Sequence, residues 1–141
     1  MRRGLEARAS MRGYVLSLSL LVLAPSAAVA ADAPPQALVE ARSAFAAAVA
    51  AKDLKATEAL TSFPLKNVVT QRAKNDSEAG FKRQFEMYEQ MADCLKRAPL
   101  EYVHGGGGRP NSWIVSCNGA ILYFALIRDR WLHDEYENVN E

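Results

Sequence analysis

Apolar positions recur every three to four residues along the first part of the chain and every two residues along its last third. From Gln36 to Ala51, Leu38, Ala41, Phe45, Ala48 and Val49 fall on one face of an Ala-rich stretch with high helix propensity, introduced by Pro34 and Pro35. Asp53 is placed to cap a second, shorter helix, Leu54 to Ser62, which Pro64 stops; Phe63, preceding a proline, is pushed toward extended backbone. Leu65 to Thr70, with Val68 and Val69, reads as a short strand, and Gln71 to Asp76 as an exposed polar loop. Ser77 is the N-cap of a third helix, along which Phe81, Phe85, Tyr88, Met91 and Leu95 recur at four, three, three and four residues. Lys96 and Arg97 complement the helix dipole at its C-terminal end, and Pro99 closes it.

The period then changes. Leu100 to His104 alternates as a strand, followed by four glycines, Gly105 to Gly108, and Arg109-Pro110-Asn111. That run lacks the Lys-Ser/Thr of a phosphate loop and leads into a strand instead of a helix, so it reads as a flexible hairpin loop, or more sharply as a flap over a pocket. Trp113, Val115 and Cys117 share one strand face, with Ile114 and Ser116 on the other. Asn118-Gly119 then predicts a two-residue hairpin turn, because a type I′ turn needs positive φ at both central positions. A second run, Ala120 to Ile127, is rich in β-branched and aromatic residues. It turns at Arg128-Asp129 into Trp131 to Tyr136, completing a three-stranded antiparallel meander. A helical layer followed by a run of strands predicts an α+β fold. Its N-terminal helices pack on a curved antiparallel sheet, in the order α-α-β-α-β-β-β-β.

Certain residues carry a family resemblance: Lys52-Asp53-Leu54 entering the second helix, Phe63-Pro64-Leu65 after it, Phe81 opening the third, and Asn118-Gly119 with Tyr123-Phe124 and Trp131 in the sheet. In these, over about Ala37 to Asn138, the chain resembles the NTF2-like, cystatin-like superfamily, and within it exported members of unassigned function. The resemblance implies a bent sheet wrapping a long helix into a cone with a pocket. Members include isomerases, dehydratases, small-molecule binders and interaction modules, so a shared fold does not choose among them.

Residues 1–30 read as a targeting signal. Arg2, Arg3, Arg8 and Arg12 form a basic region, Tyr14 to Leu23 an apolar one too short to span a bilayer, and Ala28-Val29-Ala30 a cleavage pattern that places the cut after Ala30. The expectation is a secreted or periplasmic protein whose mature part, Ala31 to Glu141, is a single domain. Removing the signal changes the charge. The mature part holds 13 Lys and Arg against 15 Asp and Glu, a formal net charge of −2. That balance gives no reason to expect nucleic acid, or a membrane once the signal is cleaved, as partner. Cys94 and Cys117, an even pair in an oxidising compartment, are expected to form a disulfide, provided the helix carrying one packs on the strand carrying the other. The alternatives are two buried thiols or a metal pair, the latter without the usual close spacing.

Chemistry is sparse. No Gly-x-Ser-x-Gly elbow and no His-Glu-x-x-His motif occurs. His133 and Asp134 are strand neighbours, expected on opposite faces, with His133 sharing the face of Trp131 and Glu135 and reading as a surface residue. The candidates for a pocket are Tyr102, His104, Trp113, Tyr123 and Phe124, with Asp93 as a further inward group. No metal site and no cofactor are expected. The reading is a non-enzymatic exported domain that binds a small apolar ligand or a protein partner through the cone pocket or the sheet face. Its alternative is an isomerase- or dehydratase-type enzyme using pocket Tyr, His or Asp groups. A homodimer through an outer sheet face bearing Trp131 and Leu126 is the third.

Overall fold

The computed structural model describes residues 32–67, 72–74, 78–108 and 110–138. The proposed signal sequence, Val68 to Gln71 and the Ser77 cap lie outside them. The fold is α+β. Among the described residues the elements are α1 (Gln36–Ala50), α2 (Leu54–Ala59), β1 (Thr61–Asn67), β2 (Arg72–Lys74), α3 (Glu78–Gln90), α4 (Ala92–Arg97), β3 (Glu101–Val103), β4 (Ser112–Cys117), β5 (Ala120–Ile127) and β6 (Arg130–Asn138). The strands form one open sheet in the order β2-β1-β6-β5-β4-β3.

Four expectations are corrected. The sheet is mixed and not antiparallel throughout, because β1 runs parallel to β6. The segment read as a polar loop contains a strand: Arg72–Lys74 pairs with Leu65–Asn67 as the outermost rung of the sheet, so pairing with a neighbour overrides weak local propensity. The second helix stops at Ala59, not Ser62, because Thr61 already pairs with His133 in the sheet and Leu60 O accepts the His133 N–H at 3.0 Å. The long third helix breaks at Met91, whose N–H bonds back three residues to Tyr88 O. That tightening matches the two consecutive three-residue spacings in the apolar stripe, and all five stripe residues stay buried across the break. The order is therefore α-α-β-β-α-α-β-β-β-β.

Local chemistry explains the junctions. Lys52 sits at φ +56 just past α1, and the N–H groups of Lys52 and Asp53 return to Val49 O and Ala48 O, a Schellman pair. Asp53 then begins α2, its Oδ1 accepting the Ala56 N–H at 2.9 Å. Both hairpin turns place their two central residues at positive φ, Asn118-Gly119 and Arg128-Asp129 alike. Arg42 of α1 donates from Nη1 to Leu95 O and Lys96 O at the end of α4, which places a cation against terminal carbonyls.

The core lies between α1, α3, α4 and one face of the sheet, built on Leu38, Phe45, Val49, Phe81, Tyr88, Leu95, Val115, Leu122, Phe124 and Tyr136. The expected disulfide is present. Cys94 on α4 and Cys117 at the end of β4 have Cα atoms 5.8 Å apart and are bridged, pinning α4 to the sheet. Closing a loop of this length stabilises by about 3 kcal/mol in the chain-entropy account. Among the described residues no helix is long and apolar enough to cross a membrane.

Candidate functional site

The middle of the helix–sheet interface is filled by rings. Phe45 is the hub, with centroids 5.6 Å from Tyr88, 5.2 Å from His133 and 5.9 Å from Phe124, all tilted edge to face. Phe81 extends the cluster from Tyr88 at 6.1 Å.

His133, read from the sequence as a surface residue, is fully buried in this cluster. Its Nδ1 lies 3.0 Å from Tyr123 O, an acceptor, so Nδ1 carries the proton. Nε2 is then the acceptor, and the Tyr88 hydroxyl donates to it at 2.5 Å. Burial pushes the His133 imidazole down from 6.5 to about 4, against a smaller opposing effect of the Tyr123 carbonyl. Burial likewise pushes the Tyr88 phenol well above its ordinary value. Both groups are neutral near pH 7 and closed to solvent, so this pair satisfies the polar atoms of a dry core and does not reach a substrate.

The reason His133 is inside is a bulge. Tyr123 pairs with Glu135 and Phe124 with His133, leaving Asp134 as an extra residue on β6. Strict alternation would put His133 and Tyr136 on opposite faces; with the extra residue both are buried.

Beside Asp134 the surface opens. At the end of the sheet where β4 begins and β5 ends, a hollow of about 340 Å³ is walled by Pro110 and Asn111 of the glycine loop and by residues of β3 to β6. Four of the five pocket residues chosen from the sequence, Tyr102, Trp113, Tyr123 and Phe124, line it. The fifth, His104, is exposed and borders a smaller hollow of about 160 Å³ that shares Pro110, Ser112 and Tyr123 with the first. His104 also meets the Tyr102 ring edge to face at 5.0 Å. Asp93 is exposed on the first turn of α4 and lines neither hollow.

Sequence reasoning missed Asp134 and Glu135, which both line the larger hollow together with Trp131. Trp131, expected on an exposed outer face, is half-buried against the core, while Leu126 is 57% exposed. The Asp134 carboxyl is pushed up from 3.8 to about 6, first by burial and then by the neighbouring Glu135 charge, with Lys66 partly offsetting. Lys66 Nζ stands 4.0 Å from Glu135 Oε1. Tyr123 donates its hydroxyl to Glu137 Oε2 at 3.1 Å. On a strand that also carries Arg130, His133, Glu137 and Asn138, the acidic doublet Asp134-Glu135 gives no local signal of this placement. Among the described residues no three His, Cys, Asp or Glu side chains gather as a metal site. Comparison of the chain with protein families, with curated proteins and with solved structures finds no match in any of the three.

Proposed function

We propose that this is an exported α+β domain of the NTF2-like type whose role is to bind a small molecule with an apolar body at the hollow on the end of its sheet, without catalysis. One observation carries the reading: Tyr102, Trp113 and Tyr123 border that hollow, while the middle of the helix–sheet interface is occupied by the protein's own rings, Phe124 among them. Trp131, Trp113 and Tyr102 supply apolar wall, and Pro110 and Asn111 bring the glycine loop to its rim. Gly107 and Gly108 of that loop take positive φ, a backbone conformation that glycine adopts without strain. The Cys94–Cys117 bridge supports export to an oxidising compartment.

Native mass spectrometry of protein purified from an exporting host tests this. The expected spectrum is a chain beginning at Ala31, two hydrogens light, carrying a bound small mass that Trp131→Ala loses. A bare dimer would instead turn the reading toward an interaction module.

The Asp134 carboxyl, held near 6 inside the hollow, favours acid–base catalysis on the bound molecule as a second reading. Recovery of the ligand chemically altered, and unaltered from Asp134→Asn, would establish it.

A further inference from the structure

The Cys94–Cys117 bridge joins two residues in unlike surroundings. Cys117 ends β4 on the core side of the sheet, is 2% exposed, and belongs to the same packed cluster as Leu95, Val115 and Leu122. Cys94 lies in the first turns of α4, half-buried at the margin of that cluster. Asp93, Lys96 and Arg97 of the same short helix are all exposed. Thiol–disulfide exchange is attack by a thiolate on one sulfur while the other leaves, so access decides which of two sulfurs takes the incoming group. From outside, Cys94 is approached across a hydrated helix surface and Cys117 only through packed apolar side chains.

The asymmetry does not depend on the bridge being closed. Leu95, next to Cys94, is buried in the core, and Arg42 of α1 donates from Nη1 to Leu95 O and Lys96 O. These contacts seat α4 without the sulfurs. In the reduced protein Cys117 therefore stays covered, Cys94 stays at the margin, and the two remain within bonding reach of each other.

We propose that Cys94 is the exchange sulfur of this protein and Cys117 the resolving one, and that the bridge is made in the folded domain by a disulfide donor, R–S–S–R, acting at Cys94. The Cys94 thiolate attacks one donor sulfur; a Cys94–S–S–R bond forms and RS⁻ leaves. Cys117, giving up its proton, then attacks Cys94 Sγ, which closes the bridge and expels the second RS⁻. Two protein thiols are oxidised, one donor disulfide is reduced, and the two released thiols take up the two protons. Opening runs the same steps backwards: an outside thiolate attacks Cys94 Sγ and Cys117 leaves.

The test uses two single-cysteine variants, Cys94→Ser and Cys117→Ser, purified from an exporting host and mixed with dithiodipyridine, an aromatic disulfide whose released thione absorbs light. With Cys94 free, the Cys117→Ser protein is expected to react in its folded state within about tenfold of its rate in urea. With Cys117 free, the Cys94→Ser protein should react at least about a hundredfold more slowly folded than in urea, because its thiol is reached only when the core opens locally. Equal protection of the two thiols, or faster reaction at Cys117, overturns the proposal. Should either variant misfold, by near-ultraviolet circular dichroism, the unmodified chain decides. It is reduced, pulsed with iodoacetamide, quenched and digested, and the label is expected on the peptide carrying Cys94. Label on Cys117, on both equally, or on neither overturns the proposal. Loss of the fold on reduction also overturns it, because α4 would then depend on the bridge for its place.

Discussion

His133 and Asp134 are adjacent on one strand, and the same physical cause moves them in opposite directions. Burial holds the His133 imidazole down at about 4 and the Asp134 carboxyl up at about 6. Around His133 the space is filled: its ring touches Phe45, Tyr88 and Phe124, and both its nitrogens have partners. Around Asp134 it is half open and borders the hollow. Desolvation disfavours charge of either sign, so the base loses its proton at lower pH and the acid keeps its own to higher pH. Only the acid stands where a ligand can change its circumstances.

The comparison is broken most directly by emptying the closed side. Phe45→Ala should cost about 3–5 kcal/mol in urea unfolding, because the hub of four rings is lost and the surrounding strands and helices can collapse only partly. Trp131→Ala, half-buried at the hollow, should cost well under half as much; equal costs would mean that the hollow is as tightly packed as the core.

Titration sharpens the contrast. His133 has a lowered folded pKa, so the unfolded chain takes up the proton first as pH falls below 6.5. About 3 kcal/mol of stability is then lost progressively down to about pH 4. Asp134 has a raised folded pKa, so its contribution is present below 3.8 and is lost as pH rises through 6. With the carboxyl partly exposed, solvent screening reduces that contribution to about 1–2 kcal/mol. Between pH 4 and 6 these two effects oppose each other and flatten their joint contribution to the stability profile. Asp134→Asn should therefore steepen acid destabilisation in that window and raise stability at pH 7 by about 1–2 kcal/mol. His133→Gln, which can keep both hydrogen bonds, should reverse the slope, giving a protein that gains stability on acidification from pH 6 toward 4. Parallel profiles for the two variants would refute the assignment.

The smallest effect lies in the turn that closes the open end of the sheet. Arg128 and Asp129 both occupy positive φ, where side chains other than glycine are strained. Arg128→Asn with Asp129→Gly should stabilise by about 1 kcal/mol in thermal unfolding. The corresponding Asn118-Gly119 turn already has those residues and has no such gain to offer.

Much of this was legible in one dimension. The stripe Phe81, Phe85, Tyr88, Met91 and Leu95 marked a buried helical face, and its two three-residue spacings already carried the trace of the break at Met91, though not its position. Asn118-Gly119 marked its hairpin because the turn's dihedrals select those residues. Arg72–Lys74 was unreadable as a strand because its polar residues have no local preference for one, and the sheet's edge supplies the partner. The candidate site was half visible. Its aromatic members stood out by composition and alternation, whereas Asp134 and Glu135 looked like two ordinary strand residues facing opposite ways.

By itself, then, the sequence determined the classes and most of the positions of the elements, because helix and strand periodicities, caps and turn residues act over a few neighbours. Only the tertiary structure decided that Cys94 meets Cys117, that β1 lies parallel to β6, and that one extra residue on β6 turns His133 into the core and brings Asp134 to the hollow. Those outcomes depend on register between segments far apart in the chain. A shift of one residue there exchanges inside for outside, and no local preference encodes it.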